Sequence, residues 1–262
     1  MRRYLRIYKM LLHLNFASLV AYRANFINSL ISSIAWAAFS LFSVILLTGR
    51  TPNVYGWSRN EIILLTGSYN IIVGIFHMVF SRNFQRFSTI VHYGRLDSIL
   101  TKPLDSQFLL SFWLVAYTSV IRVCMGIAIN IYILNAMGLQ YSVLDIIVFI
   151  LMMLLGIMLL YSLWLFVITL TIWFTRLSNL VDLLYTMNGV TRYPPKMVNE
   201  AGNFFSYILI PFTFVVAPPT RLLLQKALSG EIIGLAVLSI SFFILSRLFF
   251  RYALKFYTSA SN

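Results

Sequence analysis

Charge is scarce in this chain, and acidic charge scarcer still. Of 262 residues 10% are charged, and seven are Asp or Glu. Soluble domains carry about 25% charged residues, so a globule of this composition would lack a polar coat, which excludes a soluble fold. The single cysteine, Cys124, excludes a disulfide framework and a thiolate metal cluster; its apolar neighbours predict a small packing residue. The three histidines (His13, His77, His92) are scattered, and neither His-Glu-x-x-His nor Gly-x-Ser-x-Gly occurs. Hydrolysis therefore lacks both a metal site and an activated nucleophile. No Gly-rich loop ends in Gly-Lys-Ser/Thr, so the chain does not itself cradle ATP. Catalysis and a resident cofactor are not expected.

What is present is hydrophobic and basic: 60% hydrophobic, 16% aromatic, and a net charge of +13. A nucleic-acid binder needs a solvated basic face on a soluble fold. Here the cations lie between long apolar runs, the layout of a polytopic membrane protein beside anionic lipid. At about 20 residues per span, the expectation is six spans, short loops and no sizeable further domain. Residues 1–23 carry basic residues throughout and no apolar core followed by a small-residue cleavage site, so they are expected to stay on the chain.

Residues 1–24 predict an amphipathic interfacial helix. Arg2, Arg6, Lys9 and His13 share one face, and Leu5, Tyr8, Leu12, Phe16 and Leu19 form an apolar stripe beside it. A basic flank to the first span is the plainer alternative. Further spans are expected at 25–48, 61–80, 108–134, 146–174 and 232–250. Capping boxes are predicted at Ser58–Glu61 and Ser142–Asp145, and a polar segment at 81–107. The fifth of six spans is either 204–224, which holds Pro211, Pro218 and Pro219, or the shorter, more polar 177–191 with Asp182 and Asn188 inside. In the second case 193–228 is a re-entrant hairpin broken by its prolines. Thirteen Lys and Arg then fall on the side of the N-terminus against six opposite; the first case gives fifteen against four. Both put the two termini in the cytoplasm.

Two groups of residues are candidates for function. Between Gly94 and Pro103 a short amphipathic helix is predicted, with Leu96, Ile99 and Leu100 apolar and Arg95, Asp97, Ser98 and Lys102 polar, a shape suited to a partner's groove. Inside the membrane, Arg122 and Asp182 are costly charges. They either pair with each other, or Arg122 snorkels or meets Asn130 or a carbonyl. Asn70 and His77, seven apart, share one face of the second span. An ion-coupled carrier or channel would need more midplane charge and detectable repeats.

Gly94-Arg95-Leu96-Asp97 with Leu100-Thr101-Lys102-Pro103 after it resembles the cytoplasmic loop of type-2 ABC exporter permeases, in a branch encoded beside a separate ATPase. Ala21-Tyr22-Arg23-Ala24-Asn25-Phe26, Tyr193-Pro194-Pro195, Ile210-Pro211-Phe212 and Ala217-Pro218-Pro219 are similar to that branch too. The resemblance implies an all-α polytopic membrane protein with six transmembrane helices, type V exporter-like. It places the interfacial helix at 1–24, the coupling helix at 94–103, span five at 177–191 and extracellular re-entrant helices at 193–228. It also implies two ATPase subunits carrying ATP and Mg, a second permease (the same or paralogous), contact with membrane lipids, no nucleic acid, and a plasma (inner) membrane location.

Overall fold

The structure is a computed structural model describing residues 2–49, 53–174, 179–200 and 204–257. Among these, five helices are long and apolar enough to cross a membrane. They are α2 (Arg23–Gly49), the rod formed by α3 (Arg59–Phe76), a π-helical turn (His77–Ser81) and α4 (Arg82–His92), then α7 (Val120–Met137), α8 (Val143–Thr169) and α12 (Ser229–Ala253). The α3–α4 rod is the centre: 72% of its apolar window is buried, against 17% for α2 and α12. The first part of the expected polar segment, residues 81–92, continues this helix.

Local chemistry sets several boundaries. The Glu61 carboxylate accepts from the Ser58 backbone N–H at 2.9 Å and starts α3 after a two-residue hairpin, Asn53–Val54 and Trp57–Ser58. Ser142 and Asp145 cap α8 reciprocally. Gly138, in the left-handed region at φ 66°, ends α7. Lipid supplies little drive for helix pairing, so close contact depends on small residues. Gly126 of α7 lies against the backbone of α3: a Cβ there would be 2.6 Å from Gly67 O and 2.9 Å from Ile71 N.

The third span departs from expectation. The apolar run 108–134 is not one helix: α6 (Ser106–Phe112) stops, residues 113–116 are irregular, and Tyr117–Ser119 form a 3-10 turn before α7. Irregular backbone at this depth needs partners, and two asparagines supply them. Asn15 of α1 (Arg2–Ala21) donates to Trp113 O at 3.0 Å and accepts from Val115 N–H at 3.3 Å. Asn83 of α4 donates to Leu114 O and accepts from Leu114 N–H, both at 2.8 Å. Ala116 N–H donates to Met78 O in the π turn at 2.8 Å. The helix α1 itself packs along this break through Tyr4–Phe108, Tyr8–Phe112 and Phe16–Tyr117 ring contacts, leaving Arg2, Arg6, Lys9 and His13 exposed.

Span five differs as well. Of 177–191, residues 177 and 178 lie outside the described residues. Within the rest, α9 (Leu180–Val190) is about 16 Å long at 1.5 Å per residue, too short to cross about 30 Å of hydrocarbon. Among the described residues five helices are long and apolar enough to span, and α9 does not supply the sixth that was expected. In place of a hairpin broken by prolines, the expected re-entrant region holds α10 (Pro195–Asn199) and a continuous α11 (Phe204–Leu223) with Pro211, Pro218 and Pro219 inside it. Pro219 offers no N–H to Val215 O. Gly156 of α8 approaches that oxygen so closely that a Cβ would collide with it. Cys124, expected to pack, is exposed on α7.

Candidate functional site

At the end of α4 the chain reverses through a glycine-dependent cap. Gly94 has φ 62°, its N–H donates to Val91 O at 3.0 Å, and Arg95 N–H reaches Ile90 O at 2.9 Å. Beyond the cap the chain makes one helical turn, α5 (Asp97–Leu100), shorter than the 94–103 expectation. The predicted apolar face divides: Leu96 and Ile99 are buried in this chain's own core, while Leu100 is 38% exposed. Arg95, Asp97, Ser98, Thr101, Lys102 and Pro103 are exposed or half-buried around it. Leu96 N–H donates to Tyr257 Oη at 3.2 Å, tying the turn to the segment that follows α12. Lys102 and Arg86 both approach the Trp113 ring, at 4.5 and 4.8 Å from its centroid.

Close by in the chain lies a fork absent from the sequence reading. Asp105 caps α6, accepting from Phe108 N–H at 3.0 Å, and takes both terminal nitrogens of Arg247 on α12. That hydrogen bond from Arg247, helped by the Phe108 N–H and the Arg251 charge and opposed by burial, holds the Asp105 carboxyl below its usual 3.8. A depressed acid contributes stability above its unfolded pKa and loses it as pH falls through the folded one. Comparing thermal unfolding of the native chain with Asp105→Asn should therefore give a constant gap above about pH 5 that closes in stronger acid. A gap that persists at the acid end would show that the fork is not what Asp105 contributes.

Deeper in the bundle the intramembrane candidates converge. Arg122, 6% exposed, donates through Nε to Asn70 Oδ1 at 2.9 Å, and its guanidinium lies 5.0 Å from the Tyr69 ring centroid. Asn70 in turn donates to Ser40 Oγ of α2 at 2.9 Å. Arg122 and Asp182 line one cavity of about 580 Å³, together with His77 and Asn188. No ion pair joins them within 4.0 Å among the described residues: the amide of Asn70 has the place the pairing expectation gave to Asp182, which lies exposed on α9. Asn130 is elsewhere, donating to Ser68 Oγ at 3.1 Å and filling the space opposite Gly67.

Residues 34–261 match the family described as ABC-2 family transporter protein. The chain belongs to that family. No curated protein and no solved structure matches it. As an ABC-2 permease the molecule is a membrane component of an ABC transporter. Its polar interior then reads as part of a transport protein. Sequence reading missed Asn15, Asn83 and the Asp105–Arg247 fork in this ABC-2 chain. The one signal available for them was the residue type, a short polar side chain or a charge bordering an apolar run.

Proposed function

We propose that this chain is the permease subunit of an ATP-driven exporter in the plasma (inner) membrane, with both termini cytoplasmic. In this reading two copies of a separate ATPase, carrying ATP and Mg, act on it from the cytoplasmic side, and a second permease, identical or paralogous, completes the pathway. The observation that supports it is the construction of the Gly94–Pro103 segment. Leu96 and Ile99 bind it to the bundle core, and Tyr257 ties it to the segment that follows α12. Its Leu100 side stays outward, available to a soluble partner. A partner that presses on this turn changes the bundle only by binding one arrangement more tightly than another.

Leu100→Asp tests the reading. A tagged full-length chain, solubilised from its own membrane, should copurify with ATP-hydrolysing activity. The variant should retain about tenfold less of it at an unchanged melting temperature. Full retention by the variant, or solute transport by the purified chain with no hydrolase attached, overturns the proposal.

A further inference from the structure

The permease proposal leaves the cargo class open, and the interior chemistry narrows it. Arg122 has five N–H donors and commits one to protein: apart from Nε to Asn70, its guanidinium makes no hydrogen bond or ion pair among the described residues. The side chain borders two adjoining cavities, of about 580 and 240 Å³, that also share Trp36, His77 and Tyr185. Arg192 lines the larger one, stacked on Phe39 and Tyr193, and its Nε is buried without a partner. His77 Nε2 and Asn188 Nδ2 in the same wall are buried and unpartnered too. The smaller cavity adds Arg82. Among the described lining residues three arginines thus face one acid, Asp182. An under-used guanidinium in a low-dielectric wall is matched by carboxylate or phosphate, which take two of its donors in parallel. Around this cationic centre the walls are aromatic (Trp36, Tyr69, Tyr185), and Trp36 of α2, which lines both cavities, is 63% exposed.

We propose that these cavities hold an anionic amphiphile, its phosphate or carboxylate head on Arg122 with Arg192 as the second cation and its apolar tail along Trp36 of α2. This rests on the permease reading, but its test does not use an ATPase, so the two fail separately. The full chain in nanodiscs of zwitterionic lipid is titrated with dodecyl phosphate, dodecyltrimethylammonium and inorganic phosphate, and binding is followed by the rise in melting temperature. Dodecyl phosphate alone should stabilise the native protein. Arg122→Gln should weaken it about tenfold, Arg122→Lys less, and Arg192→Gln severalfold. Inorganic phosphate acting as well as dodecyl phosphate overturns the amphiphile. Equal action of the cationic amphiphile, or native-like binding by both glutamine variants, overturns the anion site. Should Arg122→Gln not fold, Arg192→Gln decides.

Discussion

Gly126→Val should lower the melting temperature of the solubilised full chain by about 5 °C or more. At this crossing α7 meets α3 backbone to backbone, with Gly67 O and Ile71 N less than 3 Å from where a Cβ would be placed. A flexible side chain could swing away, whereas a peptide group held in a helical ladder cannot. The whole of α7 would have to shift, and Asn130–Ser68 and Arg122–Asn70 are on the same interface. Even alanine should destabilise, although helix propensity alone favours it over glycine by about 1 kcal/mol. Gly230→Ala in α12, where nothing lies within 4 Å, is the control and should leave the melting temperature unchanged or slightly raised. A Gly126→Ala chain as stable as that control would show that the helices are not in backbone contact.

Gly156→Val should be nearly as damaging, for a different reason. Val215 O lost its helical donor to Pro219, and the bare Cα of Gly156 is what lies next to it. A carbon-bound hydrogen is a weak donor, worth about 0.5–1 kcal/mol, yet it is the contact that lets α11 lie along α8. A valine there forces the two helices apart, and limited proteolysis should then cut α11 in the variant before it cuts α8 or α12. Proteolysis that spares α11 would place the α8–α11 contact elsewhere.

Much of this architecture is readable locally. The capping boxes at Ser58 and Ser142, the cationic face of α1 and the reversal at Gly94 each depend on residues a few positions apart, and the structure has all of them. The unreadable part depends on distant partners. Nothing between Phe112 and Tyr117 is a proline or glycine, so no local rule stops the helix there. It stops where Asn15 and Asn83, 98 and 31 residues away from the carbonyls they serve, replace the ladder. The prolines of α11 mislead in the opposite direction. They do remove backbone donors, but Gly156, in another helix, makes the consequence tolerable. Charge alone matches Arg122 with an acid, Asp182, whereas a neutral amide, Asn70, has the shorter reach from the neighbouring α3.

The asparagine-held gap at Trp113–Ala116 leaves the third crossing as two struts with a pinned, non-helical joint between them. A displacement entering near Asp105 has no stiff column to climb toward α7. Its rigid route runs sideways, through the Arg247 fork into α12 and through Asn83 into the long central rod.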